Sequence, residues 1–133
     1  MMISTKGRYA LRLMIDLAQQ DSSSYISLKD ISLRQDISIK YLEQIISLLC
    51  KSGLLQSTRG AQGGYKLSKK PEEYRVGDIL RITEGCLSPV SCLEKPENLC
   101  SRKDICPTLS FWTGLEKHII EYVDSYTLKD LVK

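Results

Sequence analysis

Four of the five cysteines in this 133-residue chain fall within 21 residues. They are Cys86, Cys92, Cys100 and Cys106, and the last three have the spacing Cys-x7-Cys-x5-Cys. A thiolate can bind iron or zinc, and it is also the form of cysteine that oxidises. Zinc sites usually have cysteine pairs only about two to four residues apart, so an iron–sulfur cluster or a thiol switch fits this spacing better. In a reducing compartment, structural disulfides are the poorer explanation.

The pattern leaves the fourth ligand of such a cluster open. Cys86 could supply it, as could a carboxylate such as Glu84 or Asp104, or a group from a partner subunit. The only histidine, His118, follows Cys106 by twelve residues, which is roughly 18 Å along a helix. It is therefore a poor ligand for the same site and is expected to be a helix-surface or interface residue.

Positive charge is concentrated in residues 34–70, where seven Lys and Arg face two acidic residues, although the whole chain carries only +3. A basic stretch inside a folded segment is typical of a phosphate-binding surface, and a solvated face is the alternative. The chain has no signal-peptide pattern and no apolar run of the roughly 18 residues that a membrane span needs. We therefore expect a cytoplasmic, globular protein.

Hydrophobic periodicity predicts a mainly α fold with a small β-hairpin. The predicted elements are a helix over 5–19, a short helix starting at Ser27, a helix from Ser38 to 51, strands Leu54–Thr58 and Tyr65–Ser68, a brief helix Val76–Glu84, a long helix over about 107–124 and a last turn from Thr127 to Leu131. Three helices followed by a hairpin is the order of a winged helix-turn-helix. Pro107 is expected at the first position of the long helix, with Cys106 at its cap.

The third predicted helix has an apolar stripe that should be buried, with Cys50 a buried structural residue beside it. In a helix-turn-helix, this second helix of the motif enters the major groove. Its polar residues with suitable chemistry for phosphates or base edges are Lys40, Tyr41, Glu43, Gln44 and Ser47. Glu43 repels phosphate, so it either accepts from a cytosine amino group or only pairs with Lys40.

The glycine-rich segment between the two predicted strands would form the wing. Arg59 is suited to a narrow minor groove, where the potential is most negative. The backbone amides of Gly63 and Gly64 could approach phosphates without a side chain in the way. These features divide the chain into a DNA-binding unit at 1–84, a cysteine-rich sensor loop at 85–106, and a dimerisation helix with a C-terminal turn at 107–133.

Five sequence blocks together resemble the Rrf2 family of bacterial winged-helix repressors, and the resemblance covers nearly the whole chain. The blocks are Ser4–Arg12, Ile37–Ile45, Gly53–Leu55 with Arg59–Tyr65, Val76–Ile79 and the helix around Trp112. The resemblance implies a homodimer held by the long C-terminal helix and a roughly palindromic double-stranded DNA operator. It also implies that Arg59 enters the minor groove, while Tyr41, Glu43 and Gln44 lie at the major groove.

In the iron–sulfur members of that family, three loop cysteines bind a 2Fe–2S or 4Fe–4S cluster, and Cys92, Cys100 and Cys106 match them. Two familiar fourth ligands are replaced here. Leu109 stands where some members have a histidine, three residues after the third cysteine. Arg8 stands where others have an aspartate, just before the first-helix tyrosine.

The sequence therefore predicts a non-enzymatic DNA-binding regulator that senses iron–sulfur or redox status through its loop cysteines. The alternative is the same regulator without metal, switched by thiol oxidation or by a metabolic enzyme as protein partner. An iron–sulfur electron carrier or redox enzyme fits less well, because the chain has no Cys-x2-Cys motif and this class leaves the basic segment unexplained.

Overall fold

A computed structural model describes residues 2–133, which form six helices and one two-stranded antiparallel hairpin. The helices are α1 Thr5–Ala18, α2 Leu28–Gln35, α3 Ile39–Lys51, α4 Val76–Glu84, α5 Leu109–Ser125 and α6 Leu128–Leu131. The strands are β1 Leu55–Thr58 and β2 Gly64–Leu67, with Leu55 opposite Leu67, and short 3-10 turns occupy Pro71–Glu73 and Ser91–Leu93. The predicted winged helix-turn-helix order is confirmed.

Serine caps determine where the helices of the helix-turn-helix begin. The Ser27 side chain accepts from the backbone N–H of Asp30, and the Ser38 side chain accepts from that of Tyr41. Each cap satisfies one N–H group that has no partner within the helix. The end of α3 also follows the predicted pattern, because Gly53 adopts a left-handed conformation with φ of 76°.

One hydrophobic core lies under α1, α2 and α3. Leu42, Ile45 and Leu49 on α3 are fully buried, and Leu13 and Met14 on α1 are buried in the same cluster. Burying a side chain of this size stabilises a fold by about 1.5–3 kcal/mol, so this stripe fixes which face of α3 points outward. Cys50, predicted to be buried, is only half-buried at the edge of this core.

The C-terminal turn packs into the core of the N-terminal unit, although the sequence pattern groups it with the dimerisation helix. Leu128 on α6 is fully buried in the main core, and its backbone N–H donates to the Tyr74 carbonyl at 2.9 Å. An isolated antiparallel bridge joins Arg75 to Thr127 beside this contact. The chain thus returns after α5 to the unit formed by α1 to α4 and the hairpin, which we call the winged unit.

The long helix α5 begins two residues later than predicted. Thr108 precedes its first residue, Leu109, so Pro107 is not the first helical residue and Cys106 lies before the cap. One side of α5 packs on α4 through Ile119 and Val123. Within residues 2–133, no helix is both long enough and apolar enough to cross a membrane.

Candidate nucleic-acid interface and cysteine loop

The polar face of α3 is exposed opposite its buried stripe. Its exposed members are Lys40, Glu43, Gln44 and Ser47, whereas Tyr41 is half-buried. We call these five residues the reading face. No ion pair joins Glu43 to Lys40 in the described part of the chain, so the pairing that could have explained Glu43 is not formed. The carboxylate is free to accept hydrogen bonds from outside the protein.

An aromatic contact holds Tyr41 in place. The rings of Tyr41 and Tyr9 meet edge to face, with centroids 5.6 Å apart and planes at 80°. This arrangement matches the positive edge of one ring to the negative face of the other. The contact joins the first turn of α3 to α1 and so restricts the position of the Tyr41 side chain.

A buried carboxylate fixes the end of α2, just before the turn into α3. The Asp16 side chain on α1 is 1% exposed. It accepts from Arg34 Nε at 3.0 Å and Nη2 at 2.8 Å, and from Gln35 Nε2 at 2.9 Å. The carboxylate raises the pKa of the Arg34 guanidinium through these hydrogen bonds. Because a buried charge needs such partners, the network positions the end of α2 against α1.

Sequence reasoning missed this positioning network, although Asp16 visibly interrupts the apolar stretch around Leu13–Leu17. The available signal was a carboxylate on the buried face of an amphipathic helix, which is seldom tolerated without a cationic partner. The pattern alone could not say which arginine that partner would be.

The wing places Arg59 at the exposed turn of the hairpin, where the Gly63 N–H donates to the Gly60 carbonyl at 2.9 Å. Gly64 has an internal packing role. A Cβ built on it would lie 2.3 Å from the Ile26 carbonyl oxygen. The next residue, Tyr65, exchanges two backbone hydrogen bonds with Ile26, at 2.8 and 2.9 Å. The hairpin is therefore attached to the segment that leads into α2.

Tyr74 closes the base of the wing. This side chain is 2% exposed, and its hydroxyl donates to the Leu54 carbonyl at 2.7 Å. The same oxygen accepts from the backbone N–H groups of Ser68 at 2.8 Å and Lys69 at 3.1 Å. Burial raises the pKa of the Tyr74 hydroxyl, so it stays protonated and can donate. Both ends of the hairpin thus meet at one oxygen atom.

Two of the predicted cluster cysteines share a cavity. Cys92 and Cys100 both line a space of about 330 Å³, together with Glu94 and Glu97. Exposed Cys86 lines a different cavity beside α4 and α5. Across residues 2–133, no three His, Cys, Asp or Glu side chains converge into a group that could hold a metal ion.

Cys106 lies just before α5, beside Thr108. Its Sγ is 3.4 Å from Thr108 Oγ1. Hydrogen bonds from the side chain and then the backbone of Thr108 lower the pKa of the Cys106 thiol, with smaller help from Leu109 and Arg102. The thiolate form, which binds metals and reacts with oxidants, is therefore favoured here even though Cys106 is not the cap.

The segment 85–106, which we call the cysteine loop, is attached to the rest of the protein at its N-terminal end. Ser88 Oγ donates to Glu116 Oε2 on α5 at 2.5 Å, and Leu87 is buried against α4.

Glu84, considered above as a metal ligand, accepts instead from Ser4 N at 3.0 Å and Ser4 Oγ at 2.6 Å. That carboxylate holds the start of α1 against the end of α4.

A bidentate ion pair joins α4 to α5. Arg81 donates to Asp124 through Nη1 at 2.9 Å and Nη2 at 2.8 Å. Arg81 lowers the pKa of the Asp124 carboxyl through these hydrogen bonds. The winged unit and the long helix therefore have a fixed contact close to the cysteine loop.

Comparison with known proteins identifies the family. The Rrf2 family model, described as an iron-dependent transcriptional regulator, matches residues 3–133. The protein rrf2 of Nitratidesulfovibrio vulgaris is 39% identical over 133 residues, covering 100% of this chain and 88% of that protein. The HTH-type transcriptional regulator IscR of Pectobacterium atrosepticum is 37% identical over 132 residues, covering 99% and 79%.

A solved structure with the same fold is that of CymR, the global cysteine regulator of Bacillus subtilis. It superimposes with a TM-score of 0.80 at 39% sequence identity, covering 98% of this chain and 95% of that one. The similarity extends over the winged unit, the cysteine loop and α5. The chain belongs to the Rrf2 family and is a DNA-binding transcriptional regulator.

Proposed function

We propose that this regulator binds an operator through the reading face of α3 in the major groove and through Arg59 in the minor groove. The observation that carries this proposal is the division of α3. A fully buried apolar stripe turns its polar face outward, beside a wing that presents an exposed arginine. Gln44 and Glu43 have the chemistry to bond base edges, while Lys40, Tyr41 and Ser47 suit phosphates or base edges. Gly63 and Gly64 shape the wing that carries Arg59.

We further propose that α5 forms a homodimer interface. One side of α5 packs on α4, yet Phe111 and Tyr122 remain 63% and 64% exposed and Leu115 37% exposed. Large apolar side chains at this level of exposure indicate a surface covered by another chain. A two-fold dimer places its recognition helices roughly 34 Å apart, which favours a roughly palindromic operator.

The cysteine loop is proposed to sense iron–sulfur or redox status. Thiolates are the ligands that hold iron–sulfur clusters, and Cys106 favours its thiolate. Cys92 and Cys100 lie near each other, because they line the same cavity. A 2Fe–2S or 4Fe–4S cluster held by Cys92, Cys100 and Cys106, with Cys86 a candidate for the fourth thiolate, would require these cysteines to move together, since they form no single metal-binding group within residues 2–133. The family description as iron-dependent supports this assignment. A bound cluster would add a redox-sensitive group to the loop.

A metal-free thiol switch is the second candidate. It is favoured because the described cysteines do not converge on one point, while the partly exposed Cys106 has a lowered pKa. In either case the loop acts on the same elements. It is bonded to α5 through Ser88 and Glu116, so a change in the loop can alter how the two recognition helices of a dimer are spaced.

The DNA interface is tested by selecting bound sequences from a randomised duplex pool and measuring affinity for the selected site. Glu43→Ala and Gln44→Ala should change the base preference at specific positions, at about 1–3 kcal/mol per lost contact. Lys129→Gln, which removes an exposed charge from α6, is the control and should leave preference unchanged. Unaltered preference in both α3 variants would contradict the proposed reading face.

The cysteine loop is tested by anaerobic purification, a visible spectrum, and iron and sulfide analysis. Bands between about 320 and 460 nm that are lost on changing Cys92, Cys100 or Cys106 to Ala would support the cluster. A colourless, iron-free protein after anaerobic reconstitution would refute it. Reversible loss of DNA binding with hydrogen peroxide, abolished by Cys106→Ser, would then support the thiol switch.

A further inference from the structure

Two arginines on α1 flank Tyr9, whose ring contacts Tyr41 of the reading face, although neither belongs to the helix-turn-helix or the wing. Arg8 and Arg12 are both exposed, and their spacing of four residues puts them on one side of the helix. We propose that these arginines bind backbone phosphates of the operator, so that α1 is a third DNA-contacting element. This inference rests on the proposed DNA interface of α3 and extends it.

A stack of side chains places these charges next to α3. The Arg12 guanidinium carbon lies 5.1 Å from the centroid of the Tyr9 ring, and that ring in turn contacts Tyr41 edge to face. Arg12, Tyr9 and Tyr41 therefore form one continuous row from α1 to the first turn of the recognition helix. A phosphate that approaches Tyr41 or the start of α3 would also come within the field of Arg12.

The position of Arg12 is fixed by the end of α2. Its Nε donates to Gln35 Oε1 at 3.2 Å, and its Nη2 donates to the Gln35 backbone carbonyl. A guanidinium has five N–H donors, and these two contacts leave others for an external acceptor. The side chain is thus held at the turn between α2 and α3, which reduces the entropy lost when it binds a phosphate.

Neither charge is neutralised by a carboxylate. Among the described residues, Arg34, Arg75 and Arg81 form ion pairs with acidic side chains, whereas Arg8 and Arg12 form none. The contact of Arg8 is a hydrogen bond from Nη2 to the Thr5 hydroxyl at 3.1 Å. These two arginines retain a full charge for an anion from outside.

Substitutions of Arg8 and Arg12 differ in whether an effect on DNA binding can be distinguished from an effect on the fold. Arg12 supports the α2 terminus, so its loss could weaken DNA binding by shifting α3. Arg8 touches only a surface hydroxyl, so Arg8→Gln should leave the fold intact. The salt dependence of affinity distinguishes the two effects, because only a lost phosphate contact reduces the number of counterions released.

The experiment measures anisotropy of a fluorescein-labelled duplex of random sequence, about 30 base pairs long, at salt from about 50 to 200 mM. In Arg8→Gln, the slope of log affinity against log salt should fall by about 0.9 per protomer bound, or about 1.8 for a dimer. Arg8→Lys should retain most of the slope. Arg12→Gln should lower it by a similar amount, and Lys129→Gln should not change it.

Each result decides between the contact and its alternatives. An unchanged slope in Arg8→Gln and Arg12→Gln, with the wild-type protein binding normally, would overturn the α1 contact and leave the α3 interface standing. Weaker binding with an unchanged slope would assign the arginines to positioning and would also overturn it. If the wild-type protein bound no duplex at any salt, the proposed DNA interface itself would fail. Melting temperatures within about 2 °C of wild type would show that the variants fold.

Discussion

Replacing Tyr74 with Phe removes one oxygen atom from the base of the wing and leaves the packed ring in place. That oxygen donates to the Leu54 carbonyl and accepts from the backbone N–H groups of Ser68 and Lys69, at 2.7, 2.8 and 3.1 Å. Because Phe fills the same buried space, Tyr74→Phe tests the hydrogen bonds that close the hairpin and not the hydrophobic core.

The expected cost follows from what each group does after the hydroxyl is gone. The Ser68 N–H already donates to the Leu54 carbonyl at 3.3 Å, so these two groups keep each other as partners. The Lys69 N–H loses its bond to Tyr74, but Lys69 is exposed and water can reach it. The full penalty for three orphaned buried groups therefore does not apply. We expect a loss of about 1.5 kcal/mol, or roughly 5 °C in melting temperature for a chain of this size.

The assay is urea unfolding at fixed protein concentration, combined with hydrogen exchange at the wing base. The Lys69 amide should lose protection in Tyr74→Phe, because its acceptor is gone. Tyr65→Phe is the matched control, since the Tyr65 hydroxyl makes no hydrogen bond within residues 2–133. It should change stability by less than about 0.5 kcal/mol. If both variants were equally stable and the Lys69 amide stayed protected, the assignment of Tyr74 as the closing contact would be refuted.

Three further perturbations test other parts of the structure. Gly64→Ala should destabilise the protein by about 2 kcal/mol in urea unfolding, because its Cβ would overlap a backbone carbonyl at 2.3 Å; wild-type stability would refute the close approach. Asp124→Asn should cost about 1 kcal/mol at pH 7, given the partial exposure of the Arg81 pair. Since Arg81 lowers the pKa of Asp124 in the folded state, this contribution is present above the unfolded pKa near 4 and is lost as pH falls below it. The difference from wild type should therefore shrink as the pH falls through the lowered folded-state pKa of Asp124, and a constant difference would contradict the pair's role. Thr108→Val should slow iodoacetamide alkylation of Cys106 at pH 7, because losing the hydroxyl donor raises the pKa of this thiol; mass spectrometry would follow the rate, and an unchanged rate would count against the Thr108 contact.

Sequence patterns predicted the order of helices and strands because local physics governs those features. The apolar stripe on α3 repeats at 3.6-residue spacing, and Ser38 and Gly53 carry the capping chemistry that starts and stops a helix. The same stripe implied which face of α3 would be exposed, so Lys40, Glu43, Gln44 and Ser47 were identified as candidates from sequence. The predicted start of α5 was wrong by two residues, because a proline such as Pro107 is compatible with the first turn of a helix but does not require the helix to begin there.

Tertiary structure alone decided which distant residues meet. Asp16 and Arg34 are 18 positions apart, and Arg81 and Asp124 are 43 apart, and no periodicity links the members of either pair. The return of α6 to the core through Leu128 and the division of the loop cysteines between cavities likewise depend on how the helices pack. The sequence by itself thus determined the local elements and the chemistry carried by the reading face and the loop. Long-range packing determined their partners, because contact between residues far apart in the chain depends on the whole arrangement and not on any local spacing.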